Sequence, residues 1–221
     1  MIDLHCDTIM QIIANPDKGD LLSNPWQIDL EKLQQAGSRL QDFACFVDME
    51  TDGDPYERYQ AMRQVFENQM AKYSDCIRHV RSYEDIQACY QDGVIGALLS
   101  IEEGGALTGS LEKLDQAYAE GVRLITLTWN YPNELGEPNT GNPDKGLTKR
   151  GVEFVERMQE LGMIVDCSHL NDGGTRQLGQ IMDKPFIASH SNARALTPHR
   201  RNLPDELIRL VGNTGGVLGL H

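Results

Sequence analysis

Residues 163–169 and 185–190 read Met163-Ile164-Val165-Asp166-Cys167-Ser168-His169 and Pro185-Phe186-Ile187-Ala188-Ser189-His190. Each is a short, nearly continuous apolar run that ends in a histidine. Runs of this kind are expected of strands in a parallel sheet covered on both faces. The same character recurs at residues 2–6, 43–47, 95–101, 122–128 and 216–220. Between these runs lie amphipathic stretches at 55–73, where Tyr59, Met62, Val65, Phe66 and Met70 fall at helical spacing, and at 111–120, 148–161 and 205–211. Gly121 and Gly162 follow two of them at C-cap positions, and Pro204 introduces the last. Strands alternating with helices predict parallel βαβ units. Seven strands are too many for a small doubly wound domain, so the expected fold is α/β, a (β/α)8 TIM-type barrel, as a single domain over residues 1–221. Such barrels take eight strands and about 250 residues. The expectation is therefore of an incomplete barrel, lacking its last strand and C-terminal helices after His221. Residues 131–146, rich in Pro, Asn and Gly, read as a long βα loop on the face where barrels carry their sites.

The composition narrows the function. Hydrophobic residues make up 40% and charged residues 24%, as in ordinary globular proteins. Lys+Arg number 20 against Asp+Glu 33, a formal charge of -13, which disfavours nucleic acid as a partner. No apolar run reaches the roughly 20 residues of a membrane span, and the start, Met1-Ile2-Asp3-Leu4-His5, is unlike a signal peptide. The five cysteines, Cys6, Cys45, Cys76, Cys89 and Cys167, are odd in number, scattered and without a CxxC pair, so reduced thiols and a cytoplasmic location are expected.

Four of the six histidines, His5, His169, His190 and His221, sit at or beside candidate strand ends. His5-Cys6-Asp7 is an HxD motif, and strand alternation would point His5 and Asp7 to one side. Imidazole and carboxylate together suit a divalent metal such as zinc. A barrel would gather His5, His169 and His190 on one face. The run 97–101 ends in Glu102-Glu103-Gly104-Gly105, whose carboxylates can join that cluster. Three His, one Asp and one Glu suffice for two ions bridged by Glu102 or Glu103, the pattern of a binuclear metallohydrolase. His79 and His199 read as surface residues, Cys167 as packing and Asp166 as a partner behind the ligands.

Six ordered segments carry a resemblance: residues 2–7, 99–105, 124–130 (Leu-Ile-Thr-Leu-Thr followed by Trp129-Asn130), 165–169, 187–192 and 200–205. Across essentially the whole chain they resemble the membrane (renal) dipeptidase family of zinc metallopeptidases, barrels of the metal-dependent hydrolase type. The resemblance implies two zinc ions per chain, His5 and Asp7 on one, His169 and His190 on the other, with Glu102 bridging as the catalytic carboxylate. Glu102 rather than Glu103 keeps the family's spacing to Gly109-Ser110-Leu111. Arg201 would hold the terminal carboxylate of a dipeptide substrate, whose peptide bond a metal-bridging hydroxide would hydrolyse; no nucleic acid or membrane partner is expected, and relatives commonly form homodimers. Two departures stand out. The family's substrate-contacting His after the Leu-Thr-Leu-Thr strand is Trp129 here, with Asn130 as the substitute donor. The family's Asp on its last, Gly-rich strand has no counterpart up to His221. An amidohydrolase acting on another amide, lactam or ester, or a catalytically dead metal-binding protein, are the alternatives.

Overall fold

The computed structural model describes residues 1–220; His221 lies outside the described residues. Its elements, in chain order, are β1 (Ile2–Asp3), α1 (Thr8–Ala14), α2 (Leu30–Gln35), β2 (Leu40–Phe46), α3 (Pro55–Lys72), β3 (Ile77–His79), α4 (Tyr83–Asp92), β4 (Ile95–Glu102), α5 (Leu111–Ala119), β5 (Val122–Thr126), α6 (Lys149–Leu161), β6 (Ile164–Asp166), α7 (Asp172–Ile181) and α8 (Asp205–Asn213). All ladders between them are parallel, in the order β1-β2-β4-β5-β6. β2 pairs along Gly96–Glu102 of β4, so β3 and β5 share β4's other edge, β3 at Ile95–Ala97 and β5 from Leu99 onward. The expected strands at 185–189 and 216–220 are extended segments joined by single parallel bridges, Asp166 to Ile187 and Ala188 to Leu218. The sheet therefore curls as an open (β/α)8-type barrel. Its two ends, Met1–Leu4 and Val217–Leu220, face each other across a groove of about 680 Å³.

Local chemistry explains the helices. Asp54 caps α3 by accepting from the amides of Tyr56 and Glu57, and Pro55 sits in its first turn, where no N–H is needed. α3 buries Tyr59, Met62, Phe66 and Met70 along one stripe. Ser82 and Asp85 form a reciprocal capping box on α4, which Gly93 ends in a left-handed conformation. Ser110, Thr148 and Asn171 cap α5, α6 and α7 by accepting from the amides of Lys113, Gly151 and Gly174. Among the described residues, no helix is long and apolar enough to cross a membrane.

Strand alternation sorts the side chains into two cores. Phe43, Cys45, Leu99, Ile101, Ile125 and Val165 point outward and pack with Tyr59, Met62, Phe66, Leu114, Phe154 and Leu178 of the helices. Leu40, Val80, Leu98, Leu124 and Ile187 form a separate inner cluster. Above that floor the inner positions turn polar, with Asp42, Ser100, Thr126, Asp166 and Ser189 all buried. Cys167 belongs to the outer core, consistent with packing. The surface reading of His79 is corrected: it is on β3 with its ring edge-on to Phe66 and its Nε2 3.1 Å from Gly121 O. Burial drops its pKa to about 4. The helical pattern failed to find it because it lies on a three-residue strand that carries only one buried apolar side chain.

Phe66 is wholly buried between α3 and β2, so Phe66→Ala should destabilise the protein by about 3–5 kcal/mol in urea unfolding, whereas Leu196→Ser, on an exposed loop, should stay within about 0.5 kcal/mol.

Candidate metal centre

His5 and Asp7 lie just beyond β1, in the turn that enters α1. The turn, rather than strand alternation, brings them together, with His5 Nε2 3.5 Å from Asp7 Oδ1. Glu102 is the last residue of β4 and only 3% exposed. His169 follows β6 at a φ of 67°, left-handed for a non-glycine residue, a strained geometry typical of functional positions. That turn is held where Asn139 donates its backbone and side-chain N–H to His169 O. His190 ends the extended segment beside β6.

The two carboxylate oxygens of Glu102 divide the site. Oε2 lies 3.2 Å from His5 Nε2. Oε1 lies 3.1 Å from His169 Nε2 and 3.4 Å from His190 Nε2. The His5 and His190 rings stack at 3.7 Å. Glu103, the other candidate for a bridging role, turns away. Its backbone is left-handed at φ 80°, and its carboxylate accepts from the amides of Trp129 (2.8 Å) and Gly105 (2.7 Å) and from Asn133 Nδ2. It clasps the β5–α6 loop to the end of β4, and burial raises its pKa to about 7.

Hydrogen bookkeeping tests whether a cation fits. His169 Nδ1 lies 3.3 Å from Asn130 Oδ1, an acceptor, so Nδ1 carries the hydrogen and Nε2 a lone pair. His190 Nδ1 lies 2.7 Å from Ser189 Oγ, whose own hydrogen is engaged by Asp166 at 2.5 Å, so its Nε2 also presents a lone pair. These two Nε2 atoms are 3.1 Å apart and both face Glu102 Oε1. Three lone-pair atoms this close, with no hydrogen between them, repel unless a cation lies among them. On the other side, Asp7 Oδ1 is buried with no hydrogen-bond partner. His5, Glu102 and His190 also place one ligand atom each within 4.8 Å of one another. The donor set fits divalent metal.

Electrostatics agree. Burial alone would lower the His5 pKa, but the carboxylates of Asp7 and Glu102 override it and raise it to about 11. Burial likewise would raise Glu102, yet the three imidazoles packed on its two oxygens, with His5 carrying the charge, hold it well below the carboxylate range. His169 falls to about 4 and His190 is lowered, both mainly by burial.

The cluster floors a cavity of about 530 Å³ walled by Met10, Phe46 and Trp129. Trp129 meets Phe46 edge-on at 4.8 Å, so the departure from the family's His leaves an apolar wall there. Asn130 lines the cavity, but its Oδ1 is turned to His169. Arg201 lines it as well, with Nη1 donating to Ser191 Oγ (2.7 Å) and Nη2 to His190 O (2.6 Å). His199, exposed as read from the sequence, stands at the rim. Asp42, missed in the sequence, is buried beneath the site with Oδ1 unpartnered, and burial raises its pKa to about 8. Its signal was the polar pair Gln41-Asp42 inside the otherwise apolar run 40–46.

The chain matches the family model described as membrane dipeptidase (peptidase family M19) over residues 1–221, and belongs to that family. A protein of Klebsiella pneumoniae encoded in the 5′ region of pqqA is 31% identical over 175 residues, covering 76% of this chain and 65% of that protein. An uncharacterized dipeptidase of Schizosaccharomyces pombe is 31% identical over 208 residues, covering 87% of this chain and 50% of that protein. The chain thus spans half to about two thirds of the length of these relatives. Among solved structures, the dipeptidase AC, a metallopeptidase of family M19, superimposes with a TM-score of 0.89 at 24% identity, over 99% of this chain and 71% of that one. A Rhodobacter sphaeroides metallopeptidase, liganded with a phosphinate mimic of L-Ala-D-Ala, gives 0.84 at 23% identity, over 99% and 72%. At these identities the structural likeness concerns the fold.

Metal loading near pH 8 should release about one proton per chain, because His5 alone among the ligands holds one there. The raised His5 pKa means that this proton competes with metal until pH passes about 11, so affinity should climb with pH across the neutral range. Calorimetric titration in buffers of different ionisation enthalpy measures it; no proton release would contradict the His5 assignment.

Proposed function

We propose that this chain is the catalytic barrel of a zinc-dependent dipeptidase. The observation that carries the reading is the convergence of three imidazole Nε2 atoms on the two oxygens of buried Glu102, beneath a cavity that also presents Arg201. His5 and Asp7 would hold one ion and His169 and His190 the other, with one oxygen of Glu102 toward each pair. Bound there, two zinc ions would polarise the scissile carbonyl and activate water at neutral pH.

The chain's own residues would do the rest. Arg201 commits two of its N–H groups to Ser191 and His190 O, and its remaining donors are available for the terminal carboxylate of a dipeptide. Met10, Phe46 and Trp129 give a substrate side chain an apolar wall and exclude water from that side. Asn130 orients His169 and stands within reach of substrate. The cavity's volume suits a small ligand. The five unpaired cysteines accord with the reducing cytoplasm as its compartment, and a homodimer is the assembly to look for by light scattering.

Elemental analysis should find about two zincs per chain, and about one in the His169→Ala, His190→Ala double variant. The zinc protein should cleave dipeptides in preference to lactams, lactones and phosphoesters. Arg201→Ala should keep its zinc and lose about 10–100-fold in kcat/KM, mostly through KM. A zinc-loaded protein that cleaves a lactam or phosphoester but no dipeptide would place it elsewhere among metal-dependent hydrolases.

A further inference from the structure

Behind His190, on the side away from Glu102, runs a chain of hydrogen bonds. Ser189 Oγ lies 2.7 Å from His190 Nδ1, 2.5 Å from Asp166 Oδ2 and 3.3 Å from Ser168 Oγ. A hydroxyl has one hydrogen. The short, charge-assisted bond to Asp166 outcompetes the long neutral one. Ser189 Oγ can therefore only accept from His190, which places the ring hydrogen on Nδ1. Asp166 cannot move to follow any other arrangement. It is fully buried, and its carboxylate also accepts from Thr126 Oγ1 (2.6 Å) and from the amides of Ser168 (2.9 Å) and Ser189 (2.8 Å). Ser168 Oγ in turn receives the His190 amide at 3.1 Å. Backbone and ring of His190 are thus both tied to the polar layer formed by β5, β6 and residues 188–190.

We propose that Ser189, backed by Asp166, is a positioning residue that locks the tautomer and ring orientation of His190 and thereby sets the metal affinity of the His169/His190 half of the centre. Ser189 has no hydrogen bond to His5 or Asp7 among the described residues, so the effect falls first on the His169/His190 half. The proposal rests on the reading of this cluster as a metal centre. His169 has a weaker counterpart in Asn130, at 3.3 Å and with no buried carboxylate behind it, so the lock on His190 is the stronger of the two.

The test compares the parent, Ser189→Ala and Ser189→Thr. Ser189→Thr keeps the hydroxyl that Ser189→Ala removes at this buried position. Two readouts are taken: zinc retained against a graded chelator, and the His190 tautomer from nitrogen-15 imidazole spectra of metal-free and zinc-loaded protein. Ser189→Ala should release one of its zincs with about 10–100-fold weaker affinity and retain the other as the parent does. Ser189→Thr should restore both affinity and the Nδ1–H tautomer. Melting of the metal-free proteins shows that each is folded, and should Ser189→Ala fail to fold, the parent's spectrum and Ser189→Thr still decide. The proposal falls if Ser189→Ala holds both zincs as tightly as the parent, or if the parent's His190 carries its hydrogen on Nε2. A folded parent that takes up no zinc overturns the metal reading itself, while the tautomer still reports on the lock alone.

Discussion

A single carboxylate governs this molecule. Glu102 is almost wholly shielded from water, and isolated burial of such a charge would be prohibitive. It is tolerated because three imidazoles converge on it, drawn from turns that lie far apart in the chain. Each must arrive from its own strand end, which only a curled parallel sheet provides. The outer hydrophobic core, with Phe43, Phe66 and Phe154, holds that curl; the caps on the helices fix where each strand delivers its last residue.

The barrel interior shows the same logic in layers. Leucines and isoleucines fill the bottom, hydroxyls and carboxylates the middle, and the ionisable cluster the top. The middle layer is an interface between incompatible surroundings. Burial would raise Asp166, but four hydrogen bonds, from the Ser189 and Thr126 hydroxyls and the Ser168 and Ser189 amides, help hold it below the usual carboxylate range. Asp42, which accepts from Ser100 Oγ at 2.7 Å, is pushed the other way by burial. Two aspartates at similar depth are thus shifted in opposite directions, the one with more donors downward.

Much of this was legible in the residues. Apolar runs ending in histidine marked the strand ends, and Gly121, Gly162 and Pro204 marked helix limits. The strand alternation invoked for His5 and Asp7 was the wrong cause, since β1 stops at Asp3 and a turn does the work. β3 and the helices α1, α2, α4 and α7 were not seen: β3, α1 and α2 are too brief to show periodicity, α4 buries only Cys89, and α7 carries three glycines. The choice between Glu102 and Glu103 needed the backbone: Glu103's left-handed φ of 80° sends its side chain to the Trp129 amide, a fact no spacing encodes. Ser189 and Ser168 were invisible as partners because a buried serine looks like any other.

β1 is joined to β2 by only two register pairs, yet it leads directly into His5 and Asp7. The N-terminal segment is also held by the amides of Arg39 and Ala44 on the carbonyls of Met1 and Cys6 and by buried Ile9 and Ile12, and the contact of His5 with Glu102 adds a tie to the middle of the chain. A cation shared between them would act as a cross-link tying the first residues of the chain to its middle and to the turns after β6. In the language of chain entropy, it would close loops that span most of the sequence, much as a disulfide does, and remove the most from the unfolded ensemble because the closed loops are long. Fraying of the N-terminus and loss of the cation would then be coupled.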